Sequence, residues 1–362
     1  MKVIIASALA IMMMFNFNIS KRIDQWRNIF EEAISLANSD NPSETYIQGK
    51  TQEQICTLAD NIMSWQLENG GWSKDMPQIF ERQWNKKENK SKYYQMDGKT
   101  PLGTIDNDAT VKQLYILAEC YQVTKDDDVK QAINKGLNFL VEMQYDLGGF
   151  PQVYPVQDST HSLYENMATF NDDATIRVLT LFQNISYHLA PFDDDVIDQD
   201  LRHQVYNAYA KGIQFILKSQ IRVDGKLTGW CAQHDPYTYA PVAGRPFEPK
   251  SISGQESVTI AKFLQTVWPR TAEVQMAIDG FVEWLETVAV EDVKYYRYPV
   301  DGSHFVETPG KLMWYRFYEI GTNKALFGDS DGSIYYTIEK ISLERRKNYG
   351  YAGDWGKTLV SR

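Results

Sequence analysis

Cysteine is scarce. The chain has three in 362 residues, Cys56, Cys120 and Cys231, an odd number set far apart. That spacing excludes a disulfide framework as the basis of the fold. Histidine is nearly as rare: His161, His188, His203, His234 and His304 are scattered. None forms a two-histidine helical motif or stands near cysteine at a zinc-ligand spacing, which excludes a zinc centre. Positive charge is in deficit, with 37 Lys and Arg against 47 Asp and Glu and a formal net charge of −10. No Lys/Arg run builds a phosphate-backbone patch, so no nucleic-acid partner is expected. Beyond the N-terminus no stretch is long and apolar enough to span a bilayer, so no stable membrane association is expected.

What is present describes a globular protein. Hydrophobic residues make up 43% and charged residues 23%, a balance that excludes disorder. Aromatic residues reach 13%, with nine Trp and 22 Tyr, which serve a core and also suit a groove for flat rings. The first 20 residues read MKVIIASALAIMMMFNFNIS. Lys2 followed by the apolar run Val3 to Phe15 has the form of a signal peptide, with a retained anchor as the alternative. A secreted or periplasmic location follows from that reading. Residues 21–362 then form a single domain, opened by a short helical segment at about 21–50.

The chain repeats itself. A helical pattern ends in Gln and runs into a turn with Gly and an aromatic: SWQLENGGWSKDMP (64–77), EMQYDLGGFPQVYP (142–155) and KSQIRVDGKLTGWCAQHDP (218–236). Trp72, Phe150 and Trp230 therefore recur about every 80 residues, a long period for a repeat. Each copy follows an apolar stripe of helical period: Ile55, Leu58, Ala59, Ile62; Ile133, Gly136, Leu137, Leu140; Tyr206, Tyr209, Ala210, Ile213. A second helix follows each turn, entered through TIDNDAT (104–110), TFNDDAT (169–175) and SISGQES (251–257). Three stacked helical hairpins that curve into a toroid are the expected architecture, with short strands only at Lys294–Val300 and Ser333–Ile338.

Loops between paired helices emerge on one rim, so their residues converge. Asp106 and Asp108 in the first unit and Asp172 and Asp173 in the second stand there. Two readings fit them. Asp and Asn cap helices and suit the positive end of the dipole. Carboxylate and amide oxygens are also what a hard cation such as calcium takes. The third unit carries PVAGRPFEPK (241–250), a proline-bounded loop around Arg245. An arginine so held serves a structural or ligand-binding role. Lys250, Arg297, Lys311 and Arg316 add positive charge, as solvated surface or as binders of carboxylates.

The motifs NGGWSKDM, TIDNDAT, GGFPQVYP, TFNDDAT, GWCAQHDPYTYAPVAGRPFEPKSISGQES and MWYRFYEI, in this order, resemble the polysaccharide lyase family 10 pectate lyases. The resemblance runs over about residues 50–350, and the long third-unit motif is its most specific part. It implies a mainly α fold, an (α/α)3 toroid of helical hairpins, with residues 21–362 a single catalytic domain. It implies calcium as cofactor, polygalacturonate as partner and β-elimination as the reaction; the chain is expected to act as a monomer. Carried over by motif, Arg245 is the catalytic base and Asp106 the acidic residue at the scissile bond. Arg316 binds a substrate carboxylate, Asn107 stands beside Asp106 as a further substrate contact, and Asp172 holds the calcium; the charge pattern adds Lys250 to the substrate binders and Asp173 to the calcium ligands. Two departures stand out: Asp108 where the family usually has Gly, and Ser330 where it usually has Arg. Two other readings remain open at this point. One is a glycoside hydrolase using a carboxylate pair such as Asp106 and Asp172; the other is a pectin-binding protein without catalysis.

Overall fold

In the computed structural model, residues 42–157, 164–297 and 300–360 are described. The expected signal peptide and most of the N-terminal helical segment lie outside them. The described helices are α1 (Pro42–Ile47), α2 (Gln52–Trp65), α3 (Gln78–Glu81), α4 (Val111–Thr124), α5 (Asp127–Glu142), α6 (Ala174–Ser186), α7 (Gln199–Ser219), α8 (Glu256–Thr266), α9 (Ala272–Thr287) and α10 (Leu343–Asn348). Their ends are set by local chemistry. Thr51 and Gln54 close a capping box at the start of α2. Asp126 caps α5, and Thr271 caps α9. Helices α2, α5, α7 and α9 form one row, and α4, α6 and α8 a second row packed against it. The second row is the more enclosed. In α6 alone, Val178, Leu179, Leu181, Phe182 and Ile185 are fully buried.

The expected mainly α fold, an (α/α)3 toroid, is corrected by the structure. Helix accounts for 44% of the chain and strand for 15%, with six small sheets among the described residues, so the fold is mixed. The stretches read as irregular loops pair with one another across units. Gly103–Thr104 pairs with Val153–Tyr154, Ala168–Thr169 with Gln233–His234, and Ile252–Ser253 with Phe317–Tyr318, all antiparallel. Two-residue strands carry no alternation, so nothing in their sequence announces them. The longest ladder also departs from expectation. Strands at Val290–Tyr296 and His304–Tyr315 form a hairpin whose register shifts between Glu307 and Leu312. Pro309 and Gly310 lie in that shift and interrupt what would otherwise read as a strand. The cysteines make one disulfide and no framework: Cys56 on α2 and Cys120 on α4 are bonded, a pairing the sequence did not announce, and Cys231 is buried and free.

The sequence repeat is a mechanical one. Gln66 Nε2 donates to Gly70 O (2.8 Å) and to Ala132 O (2.9 Å) of the next unit's helix. Gln144 does the same to Gly148 O (3.0 Å) and Ala208 O (2.9 Å), and Gln220 to Thr228 O (2.7 Å) and Ala277 O (2.9 Å). Each glutamine thus closes its own turn and pins the following unit. The indoles repeat as well. Trp72 Nε1 donates to Ile62 O (2.8 Å) and Trp230 Nε1 to Ile216 O (2.7 Å). Trp314 Nε1 makes the equivalent bond to Leu285 O (2.9 Å), a fourth copy that the sequence conceals.

Candidate active site

Helices α4 and α6 are each entered through a tight turn that carries carboxylates in the left-handed region. Asn107 has φ 51° and ψ 46°, and Asp172 has φ 49° and ψ 32°. Asp108 (φ 64°) and Asp173 (φ 61°) are left-handed too. Side chains other than Gly avoid this region, and Asn and Asp tolerate it best. Two successive residues held there twice over mark a built feature. Capping does not account for it, because neither helix has a side-chain cap hydrogen bond. The threonine opening each motif holds the turn instead. Asp106 N–H donates to Thr104 Oγ1 (3.0 Å), and Asn171 N–H to Thr169 Oγ1 (3.2 Å).

Around the second turn the structure gathers residues from far apart in the chain. Arg316 is buried, with Nη2 2.5 Å from Glu256 Oε1 and 3.5 Å from Asp172 Oδ1. Its guanidinium lies 4.7 Å from the centre of the Tyr349 ring. Burial works to neutralise Arg316, but the Glu256 carboxylate beside it, with Asp172 further off, holds it protonated. Arg245 keeps a third of its side chain exposed, 35%, and places Nη2 2.5 Å from Glu248 Oε1. Its own N–H donates to Glu248 Oε2 (3.0 Å). Tyr349 Oη donates to Glu248 Oε1 (2.8 Å), so one tyrosine touches both arginine clusters. Burial pulls the Arg245 pKa down, yet the Glu248 pair more than offsets it and leaves it above the ordinary value. Asp173, mostly enclosed, has its carboxyl pushed up to about 7 by burial first and by the Glu256 charge next. One of its oxygens, Oδ1, is buried without a hydrogen-bond partner.

The first turn forms the neighbouring edge. Asp106 is buried, pairs with Lys74 and accepts from Gln152 Nε2 (2.9 Å), while its Oδ1 has no partner. Asn107 beside it is exposed. Asp108 pairs with Arg177 on α6, the helix whose first residues follow Asp172 and Asp173. No hydrogen bond or ion pair among the described residues joins Asp106 to Asp172 or to Arg245. Lys250, Arg297 and Lys311 are exposed and make no ion pair among the described residues. Ser330 is exposed; its N–H donates to Asp329 Oδ1 (2.7 Å) and its hydroxyl to Glu344 Oε2 (3.3 Å). The sequence reading thus found Arg245, Arg316 and Asp172 but missed the groups that fix them: Glu248, Glu256 and Tyr349. Glu248 stood in view, three residues after Arg245 on the same proline-bounded loop. Tyr349 gave no signal.

A buried arginine, a half-exposed arginine and strained carboxylates meeting at one rim suit an acidic carbohydrate, and comparison with known proteins decides the class. A family model described as pectic acid lyase matches residues 66–360. The chain belongs to the pectic acid lyase family. Two solved structures agree. One is a single-residue variant of the family 10 polysaccharide lyase from Cellvibrio cellulosa in complex with trigalacturonic acid. It has a TM-score of 0.79 and 34% identity over 90% of this chain and 96% of that one. The other is the family 10 polysaccharide lyase from the same organism, with a TM-score of 0.76 and 34% identity over 88% and 93%. No curated protein matches. This member of the family is therefore a polysaccharide lyase, which removes both the hydrolase and the non-catalytic reading. Among the described residues no helix is long and apolar enough to cross a membrane.

Proposed function

We propose that this pectic acid lyase is a secreted, calcium-dependent pectate lyase that cuts α-1,4-polygalacturonate by β-elimination, leaving 4,5-unsaturated oligogalacturonides. The observation that carries the reading is the pair of guanidiniums, Arg245 and Arg316, that share the Tyr349 ring beside Asp172 in a chain of net charge −10. A polyanion approaches such a molecule only where cations are concentrated locally. The disulfide between Cys56 and Cys120 supports an oxidising compartment, in keeping with export.

The reaction removes the C5 proton of a uronate, α to a carboxylate, and breaks the C4–O bond. The proton is weakly acidic because the carboxylate already bears charge. A cation about 4 Å away contributes roughly 4 kcal/mol at an effective dielectric near 20. That corresponds to about three pKa units. Arg316 is fixed for this work by Glu256, and its buried guanidinium loses little freedom on binding a carboxylate. Asp172 and Asp173 fit a hard cation: one is half-exposed, and the other holds a buried oxygen without a partner. Two carboxylates are only part of the six to eight oxygens that calcium takes, so water and substrate would have to supply the rest. Calcium held by Asp172 and Asp173 would supply positive charge beside the uronate carboxylate. Asp106, clamped between Lys74 and Gln152, orders the first unit's edge of the cleft, with Asn107 and Lys250 free to meet the sugar chain. Arg245 would act as base only as the neutral guanidine, after the substrate has drawn it away from Glu248 and alkaline pH has removed its proton. It then takes the C5 proton, the electron pair forms the C4–C5 double bond, and the departing C4 oxygen takes its proton from water. The test follows ultraviolet absorbance from the new double bond during incubation with polygalacturonate. Absorbance should rise with calcium, stop with chelator and resume on adding calcium back. Full turnover in excess chelator overturns the calcium assignment.

A further inference from the structure

Positive charge also gathers away from Arg245 and Arg316. A cavity of about 720 Å³ opens at the C-terminal end of α7, with Lys218, Arg222, Tyr239, Pro241 and Ile320 in its lining. It shares no lining residue with the Arg245–Arg316 cluster. Lys218 and Arg222 are the only charged residues that line it among the described residues, in a chain of net charge −10. Both are exposed, and neither makes an ion pair among the described residues. Arg222 Nη1 donates to Gly225 O (3.2 Å), on its own turn. The carboxylates close by in the chain are spent elsewhere. Asp235 Oδ1 accepts from the N–H groups of Tyr237 (2.9 Å) and Thr238 (2.8 Å), and Glu319 accepts from the hydroxyls of Thr322 and Tyr336. Asp224 lies on the turn after Arg222, outside the lining. One wall of the cavity is strained. Tyr239 has φ 64°, a conformation that a bulky side chain adopts only where its surroundings hold it. Its N–H donates to Asp235 O (3.0 Å), and its carbonyl lies 2.8 Å from His234 Nδ1. Its ring packs 5.4 Å from the Phe215 ring and 5.5 Å from Lys218 Nζ.

We propose that this cavity is a second, non-catalytic binding site for a uronate of the polysaccharide, separate from the reaction centre, that holds long chains on the protein. The inference rests on the pectate reading of the protein. Lys218 and Arg222 take the carboxylate, with charge assistance that an ester does not offer. Tyr239, Pro241 and Ile320 give the apolar surface on which a sugar ring lies, the usual make-up of a pocket with a few polar groups that fix orientation. In a chain with an excess of negative charge, a cavity charged with one sign only concentrates a polyanion locally. Pro241 opens the loop 241–250 that carries Arg245, so the cavity and the reaction centre border one loop. A long polygalacturonate engages both sites at once, and the second contact is then intramolecular and raises the affinity of the whole chain.

Chain length makes the test. Binding of polygalacturonate and of trigalacturonate, and KM and kcat on the polymer, are measured for the wild type and for the double variant Lys218→Gln, Arg222→Gln. Both side chains are exposed, so the variant keeps its fold, and a matching melting temperature checks that. The variant should bind polygalacturonate roughly tenfold more weakly and show a KM raised to match, with kcat kept. High salt should narrow the gap between the two proteins, because the lost contacts are solvent-exposed charges. Trigalacturonate, held at the reaction centre, should bind both proteins alike at that site. Unchanged polymer affinity overturns the proposal. An equal loss on trimer and polymer, or a lowered kcat, also overturns it, because the two cations then serve the reaction centre. The pectate lyase reading is judged apart, by the ultraviolet-absorbing products of the wild type. If those form and the double variant behaves as the wild type, the lyase reading stands and the second site falls. If none form and polymer binding still depends on Lys218 and Arg222, the second site stands and the lyase reading falls.

Discussion

At the scale of single residues, Arg245 is the sharpest test of the mechanism. Two features bear on it: its bonds with Glu248 close its own loop, and its side chain stays partly open to solvent. If it takes the proton, Arg245→Ala loses several orders of magnitude in turnover while the protein stays folded and binds polygalacturonate. Arg245→Lys retains little activity, because an ammonium does not reproduce the planar fork. Melting temperature and turnover on the same preparations separate this from a purely structural role, which lowers the melting temperature and spares turnover per folded molecule. A second residue gives a test of stability. His234 is fully buried, its Nδ1 2.8 Å from Tyr239 O and its Nε2 accepting from Cys231 N–H (3.0 Å). Burial, only partly offset by these bonds, brings its pKa down to about 4. The unfolded chain takes up this proton near pH 6.5 and the folded one near 4. Its contribution is therefore complete above about pH 6.5 and is lost as pH falls towards 4, on the order of 3 kcal/mol in all. His234→Asn should flatten that part of the stability–pH curve in denaturant titrations. An equally steep curve in the variant would remove His234 as its source. The members of the cluster, though not their roles, were legible where one short motif holds them, as with Arg245 in AGRPFEP and Asp172 in TFNDDAT. Glu256 was not, because its partner Arg316 lies 60 residues away and only folding brings them together.

At the scale of elements, the repeat was legible as helix, glutamine, glycine and aromatic, and its meaning was not. The structure supplies the meaning: each turn is tied to the next unit's helix. Gly148 shows how tightly. Its φ is +102°, and a Cβ there would stand 2.2 Å from Lys211 O on α7. Gly70 repeats the arrangement, with φ +97° and 2.3 Å to Lys135 O on α5. Both penalties, a strained backbone and a clash with main chain, fall on any larger residue. Gly148→Ala should therefore cost several kcal/mol, whereas Gly225→Ala, with φ +79° but open space around it, should cost about 1 kcal/mol. Gln144→Ala leaves two carbonyls without their donor and should fall between them, at about 2 kcal/mol. Chemical denaturation of the three variants orders them. A Gly148→Ala protein as stable as Gly225→Ala would mean that the units can slide apart without loss. The short strands that link the units escaped sequence reading for a plain reason: a pair of residues has no period.

At the scale of the whole molecule, the question is whether the helical repeat and the strand-rich C-terminal part form one cooperative unit. One buried cluster runs through all the helical units, from Ile55 to Leu285, and also takes in Trp314, Tyr318 and Val360. A smaller cluster around Phe317, Phe327, Tyr349 and Tyr351 shares Tyr315 with it. The candidate site straddles the same seam. Arg316 and Tyr349 come from the C-terminal part, while Asp172, Arg245 and Glu256 come from the repeat. Cutting the chain after Val288 would strip Trp314 from Leu285 and Tyr318 from Ile252, and would leave Glu256 buried without its cation. Removing one partner of a buried ion pair alone costs about 3–5 kcal/mol, a large part of the stability of an ordinary domain. The chain ending at Val288 should therefore fail to fold, and the intact protein should lose helix signal and tryptophan environment in one transition. Circular dichroism and fluorescence followed through the same thermal or urea ramp check this. Two separated midpoints, with the helical repeat surviving the first, would show that the repeat stands alone and that the lyase site is built between two independent parts.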